Sequence, residues 1–322
     1  MKKKQKYVIV SPRQKGGGSI ALHVLCKILL EQGIDAKILY TDVFVYRKGH
    51  HIRFWLKWLW YTVTDIWKDI YVHCIGEEKI KDISKFEGYI NVPVKNCKRK
   101  YLPIVNRNTV VVYPEIIYGN FLNAKNVVRW LLYYNRYRDF GGTPYGEHDL
   151  FFCYRDVFND ESLNPSQRKL CLSYYDLETY RQVNFGNREG KCYVVRKGIK
   201  RNDLPEKFDG VVVDDMSEIE KVKIFNECEY CICYDTQTAY STIAALCGCI
   251  SIVVPEPGKV RKDYRKDEDS GYGEAFGFTE EEIKYAIETR SEIKKMYEES
   301  NQLGKESVIE FVKECENYFG LS

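Results

Sequence analysis

The chain has 322 residues, long enough for two domains of ordinary size and too long for one small core. Hydrophobic residues make up 44% and charged residues 30%, a balance that excludes a disordered chain. The net charge of +3 gives no strong field, and no basic run carries interleaved aromatics, so nucleic acid is excluded as an expected partner.

The first residues are basic and lead directly into a short apolar strand, Tyr7 to Ser11, without the apolar stretch of a signal peptide. The expected location is therefore the cytosol. The glycine-rich turn Lys15-Gly16-Gly17-Gly18-Ser19 follows, then a helix from Ile20 to Gln32 with Val24, Leu25, Ile28 and Leu29 at helical spacing, stopped at Gly33. Ala36 to Tyr40 reads as the next strand. Glu87 to Pro93 and Thr109 to Tyr113 read as further buried strands, and Asn123 to Tyr133 as a helix. Strands separated by helices imply a parallel sheet with crossover connections.

The segment from Val43 to Tyr71 breaks this rhythm. Ile52, Trp55, Leu56, Leu59, Val63 and Ile66 form one helical stripe, while Phe54, Trp58 and Tyr61 put aromatics on another face. Arg53, Lys57 and Asp65 interrupt the run, so it does not span a bilayer. Two readings stay open: an interfacial helix lying on anionic lipid, or a helix inserted into the first domain and buried on two sides.

After the polar stretch Asn159 to Lys169 the pattern restarts. Strands are expected at Leu170 to Tyr174, Lys191 to Arg196, Gly210 to Val213, Tyr230 to Tyr234 and Ile250 to Val254. Helices are expected at Glu218 to Cys228, at Thr238 to Cys247 and over most of the chain from Thr279 onward. The organisation read from this is a first α/β domain over 1–160, with an aromatic-basic insertion at 43–71. A second α/β domain follows over 168–278, and 279–322 forms C-terminal helices packing back across both. The fold class is α/β, two Rossmann-like domains facing a cleft.

Twelve cysteines sit mostly in apolar runs and read as core residues; Cys228, Cys231, Cys233, Cys247 and Cys249 form the densest group, with no His nearby. No metal and no cofactor is expected. Three stretches carry candidate chemistry. Gly16, Gly17, Gly18 and Ser19 lie at the carboxyl end of the first strand, where backbone N–H groups favour an anion or a close-lying ligand. They lack the spacing of a dinucleotide fingerprint. Arg196 and Lys197, at a strand end beside Gly198, suit a diphosphate, Arg as a planar fork and Lys as a point charge. The run Asp235, Thr236, Thr238, Ser241 and Thr242 joins a buried strand to a helix and is too rich in hydroxyls for N-capping alone. Glu256 ends the next strand.

The run Cys233-Tyr-Asp-Thr-Gln-Thr-Ala-Tyr-Ser-Thr-Ile-Ala-Ala-Leu-Cys-Gly-Cys-Ile-Ser-Ile-Val-Val-Pro255 resembles the donor-site strand, helix and strand of GT-B glycosyltransferases. Val112-Tyr-Pro-Glu-Ile-Ile-Tyr-Gly-Asn120 and Asn123-Ala-Lys-Asn-Val-Val-Arg-Trp-Leu-Leu132 are similar to bacterial enzymes of surface-polysaccharide and lipopolysaccharide assembly, including rhamnosyltransferase-like members. The resemblance extends more weakly to Gly271-Tyr-Gly-Glu-Ala-Phe-Gly277. It implies a nucleotide-sugar donor, a glycan or lipid-linked acceptor and peripheral contact with the inner membrane. Where retaining members carry a pair of glutamates across the donor helix, this sequence has Asp235 or Thr236 and then Ala244, so no stereochemistry is assigned.

On this resemblance Arg196, Lys197 and the Thr238/Ser241 helix start would stabilise the leaving group. Glu115 is the first choice of base, with Asp42 and His23 behind it. Trp55, Trp58 and Arg129 would lie on the acceptor or membrane side. Two rival classes remain: a nucleotide-sugar epimerase of the same fold, and a catalytically silent glycan-binding subunit.

Overall fold

A computed structural model of the chain describes residues 6–12, 16–41, 51–75, 97–135, 145–172, 175–236, 238–264 and 271–321. The chain divides into two compact units, Met1–Tyr174 with Asn301–Ser322, and Tyr175–Ser300.

In the first unit β1 (Lys6–Pro12) passes through the glycine turn into α1 (Gly17–Glu31) and β2 (Asp35–Thr41). Then come α2 (His51–Ile75), β3 (Thr109–Pro114), β4 (Asn126–Leu131) and β5 (Leu150–Cys153). The five strands form a parallel sheet in the order β2-β1-β3-β4-β5. Alternation along β1 explains its two buried faces. Tyr7 and Ile9 join Leu22, Leu25 and Leu29 of α1, together with Val308 and Phe311 near the C-terminus. Val8 and Val10 join Phe54 and Trp58 of α2, with Phe121. Covered on both sides, these strands read as unbroken apolar runs. Gly33 closes α1 with a φ of 75°, where the Ile34 N–H reaches back to the Leu29 carbonyl at 2.9 Å.

The helix expected over 123–133 is the strand β4. Its residues Val127, Val128, Trp130 and Leu131 are β-branched or bulky and are buried on both faces, an apolar run whose periodicity does not separate helix from strand. Asn123 turns the chain into it with a φ of 48°. The strand expected at 87–93 lies outside the described residues. The one expected from Leu170 is reduced, within the described residues, to an isolated bridge between Cys153 and Lys169.

The second unit contains β6 (Lys191–Val194), β7 (Val211–Val212), α3 (Glu218–Glu227) and β8 (Tyr230–Cys233). It continues with α4 (Tyr240–Leu246), β9 (Ile250–Val253), α5 (Arg261–Tyr264) and β10 (Glu274–Phe276). Its sheet is also parallel, in the order β10-β9-β8-β6-β7. Read from its own first strand, that is the same order as in the first unit. Ser217 starts α3 with a full capping box: its side chain takes the Glu220 N–H, and the Glu220 carboxylate returns to the Ser217 N–H at 2.8 Å. Six cysteines, Cys192, Cys228, Cys231, Cys233, Cys247 and Cys249, pack with Phe225 and Ala244 into one core, as small apolar side chains do.

A single helix, α6 (Glu280–Phe319), occupies the region where several helices were expected. Ala286 and Ile293 pack in cores of the second unit, while the residues from Asn301 belong to the first. The boundary between units falls at Tyr174–Tyr175, later than the stretch 160–168 read from the sequence, because the bridge at Lys169 and buried Leu170 and Leu172 keep that stretch on the first core.

Candidate functional site

A strand order of 2-1-3-4-5 reverses direction between its first and third strands, and open parallel sheets hold ligands at the carboxyl ends of strands on either side of that point. Both units have this order, so each offers one such place.

In the first unit the place lies between the ends of β1 and β3, and a cavity of about 710 Å³ occupies it. Gly16, Gly17, Gly18 and Ser19 line one side, and Pro114, Glu115 and Ile116 another. Leu132, Tyr133, Tyr134, Tyr154, Arg155 and Phe158 form much of the rest of the wall. Gly18 faces Leu132 Cδ1, 3.4 Å from where its own Cβ would be, so an alanine there would just touch the opposite wall.

Glu115 follows directly on β3. Its N–H donates to the Trp130 carbonyl at 3.2 Å, and its own carbonyl accepts from the Tyr145 hydroxyl at 3.1 Å. Its carboxylate Oε2 accepts the Leu132 N–H at 3.0 Å, which fixes the buried side chain against the end of β4. A carboxylate so oriented in an aromatic cavity can accept a proton from a bound hydroxyl. Beside it Tyr133, Tyr134 and Phe158 form a triangle of rings with centroids 5.1 to 5.5 Å apart, and both tyrosines remain half exposed. Arg155 is exposed and sits 5.7 Å from the Tyr154 ring. Flat rings with polar edges suit a sugar or another amphipathic ligand.

In the second unit the place lies between the ends of β6 and β8. A 3-10 turn, Arg196–Lys200, follows β6 and exposes both Arg196 and Lys197. Arg196 has a φ of 33°, unusual for a side chain other than glycine, and such strain concentrates at functional sites. Asp214 maintains it, accepting the Arg196 N–H at 2.7 Å and the Val195 N–H at 3.1 Å. Gly198 lets the turn close against β8, since any Cβ there would collide with the Tyr234 carbonyl. The Arg196 guanidinium lies 5.3 Å from the Tyr240 ring centroid. Tyr240 donates to Glu218 at 2.6 Å, Tyr180 donates to the other Glu218 oxygen at 2.7 Å, and Lys221 lies 3.3 Å from Glu218. Burial works to raise the Glu218 carboxyl, but the Tyr240 and Tyr180 hydroxyls and Lys221 outweigh it and hold it below the usual range.

Other expected residues have structural tasks. Ser241 is buried, within hydrogen-bond distance of the Thr238 carbonyl and Glu274, and Thr242 donates to the same Glu274 oxygen at 2.9 Å. Glu274, fully buried on β10, thus takes up the two hydroxyls assigned to phosphate; the stretch Gly271–Gly277 that contains it was singled out, but this role for Glu274 was not. Asp235 and Thr238 are buried too, Thr238 Oγ1 accepting the Tyr240 N–H at 3.2 Å, and Thr236 is half-buried. Glu256 is paired with Lys259, which keeps its carboxyl low.

Arg129 is not on an acceptor or membrane surface. It is fully buried, 2.7 Å from Asp149, and donates to the Ile117 and Gly119 carbonyls at 2.9 and 2.8 Å. Trp58 is buried against the sheet, and Trp55 is half-buried beside it. Asp42 lies outside the described residues.

His23 is buried and absent from the cavity wall. Its Nδ1 is 2.6 Å from the Ser19 carbonyl and its Nε2 is 2.7 Å from the Tyr40 hydroxyl, which fits a neutral ring donating to the carbonyl and accepting from Tyr40. Burial lowers its pKa below 6.5. As pH falls, the unfolded chain therefore takes the proton first. The stability His23 contributes is present above about 6.5 and is lost as pH falls toward the folded value. Thermal unfolding followed from neutral to mildly acidic pH is expected to show this loss, reduced in His23→Gln. An equally steep loss in that variant would assign it to other groups.

No family model matches the chain, and no curated protein matches it. Among solved structures, a crystal structure of MurG from Acinetobacter baumannii is similar to the chain at a TM-score of 0.32 and 11% identity, covering 96% of this chain and 99% of that one. A likeness of that strength carries no argument about function.

Proposed function

We propose that the chain is a GT-B glycosyltransferase, moving a sugar from a nucleoside-diphosphate donor to a hydroxyl of a growing cell-surface glycan or lipid-linked acceptor. The single observation that carries this reading is the repeated strand order. One unit's switch point holds an aromatic cavity with a fixed carboxylate, and the other's holds two exposed cations on a strained turn. A reaction with one amphipathic and one polyanionic substrate calls for that pair.

In the proposed reaction the acceptor lies against Tyr133, Tyr134 and Phe158, and Glu115 takes its hydroxyl proton. The acceptor oxygen bonds to the sugar's anomeric carbon as the bond from that carbon to the diphosphate oxygen breaks. The electron pair leaves with the nucleoside diphosphate, whose charge Arg196 and Lys197 offset. The enzyme works in the cytosol, in peripheral contact with the membrane that carries its acceptor. Among the described residues, no helix is long and apolar enough to cross a membrane.

The test is to incubate the full chain with UDP-, GDP-, TDP- and CDP-linked sugars, with and without a total bacterial lipid extract, and to measure nucleotide release. Release that depends on the extract is the expected result. Isomerised sugar formed without the extract would replace this reading with an epimerase. No turnover of any donor in either condition would remove the enzymatic reading.

A further inference from the structure

The side of α2 that turns away from the sheet is apolar. Ile52 is 79% exposed, Leu56 63%, Trp60 69% and Trp67 64%. At the helical repeat, Ile52, Leu56, Leu59, Val63 and Ile70 fall within an arc of about 60°, along about 27 Å of helix. Trp67 and Tyr71 stack at its edge, centroids 5.4 Å apart. The opposite side, with Phe54 and Trp58, is the part that packs in the core.

Charge divides in the same direction. The two acidic residues of α2 turn inward: Asp65 is buried and paired with Arg99, and Asp69 is 3.3 Å from the same guanidinium and also accepts from Tyr101. Arg53 and Lys57 are exposed, and with Lys68 they fall along one flank of the apolar arc. The outward side of α2 therefore combines a long apolar face, tryptophan and tyrosine at its margin, and, among the described residues of this helix, basic charge alone. A second copy of this surface would oppose like charge with like. A bilayer with anionic headgroups complements both the apolar face and the basic flank.

We propose that α2 docks the protein on an anionic lipid surface, its axis parallel to the membrane and its Ile52, Leu56, Trp60 and Trp67 side inserted. The helix binds the surface and does not cross it. This deepens the membrane contact proposed above, yet is independent of transfer: vesicle binding can fail while donor turnover persists, and the reverse.

The test is co-flotation of the full chain with phosphatidylglycerol-containing vesicles and with pure phosphatidylcholine vesicles, at low and high salt. The expected result is binding to the anionic vesicles, weakened by salt and lowered at least about tenfold in Trp60→Ser/Trp67→Ser. Lys57→Glu is expected to weaken binding to anionic vesicles alone. Circular dichroism and melting of both variants should match the parent, because the substituted side chains are exposed. No binding to either vesicle overturns the proposal, as does binding unchanged by the tryptophan substitutions. Self-association that those substitutions abolish, without vesicle binding, would assign the face to a second copy instead.

Discussion

Glu115→Gln is expected to lower sugar transfer by roughly two to four orders of magnitude, the range for removing a positioned general base. Fold and donor affinity should be unchanged. The amide oxygen of glutamine can still accept the Leu132 N–H that orients the native carboxylate, and the backbone bonds to Trp130 and Tyr145 do not involve the side chain. The comparison is turnover against nucleotide binding in the same preparation. Transfer at the native rate would make Glu115 a residue that ties β3 to β4 and nothing more. Transfer and stability lost together would point to the same structural role.

The largest effect on stability is expected at Arg129. Three of its contacts are hydrogen bonds or an ion pair inside the first core, and its guanidinium also lies 4.7 Å from the Tyr113 ring and 5.0 Å from the Tyr145 ring. Arg129→Met strands the Asp149 carboxylate and leaves two carbonyls without that donor. Breaking one side of a buried pair costs about 3–5 kcal/mol. Replacing both partners removes the uncompensated charge, so Arg129→Met/Asp149→Leu should lose less than the sum of its two single variants. Urea unfolding of the four proteins gives the cycle. A loss below about 1 kcal/mol in Arg129→Met would mean that the pair is solvated in the folded protein.

Arg129 also marks where the sequence was unreadable. An arginine amid Val127, Val128, Trp130 and Leu131 looks like the polar side of a helix, because its partner Asp149 is distant in the chain. The same cause left two readings of α2 open. Its stripe of Ile52, Leu56, Leu59 and Val63 has the spacing of a core-facing side, yet Arg99 draws Asp65 and Asp69 inward and Phe54 and Trp58 bury in their company. Ser241 and Thr242 were likewise given to a ligand when Glu274, fixed by the second sheet, takes them.

What could be read was local. The apolar run of β1, the glycine turn, the periodicity of α1, and each strand and helix in the alternation from Lys191 to Val253 are patterns of about fifteen residues or fewer. Glu115 and the glycine turn were each singled out separately; their meeting in one cavity follows from β3 pairing directly with β1, which no local pattern encodes. Asp214, which supports the strained Arg196, was missed for the same reason, and the Val-Asp-Asp sequence after β7 was the only trace of it.

The central claim, a nucleotide-sugar site in the second unit and chemistry in the first, is tested most directly by thermal unfolding. The full chain and Arg196→Ala are melted with UDP, GDP, TDP, CDP and CMP, each with EDTA and with Mg²⁺. One nucleoside diphosphate at a hundred times its dissociation constant should stabilise the native chain by about 2.7 kcal/mol, and Arg196→Ala much less. Stabilisation by none of them, or by one equally in both proteins, would contradict the account.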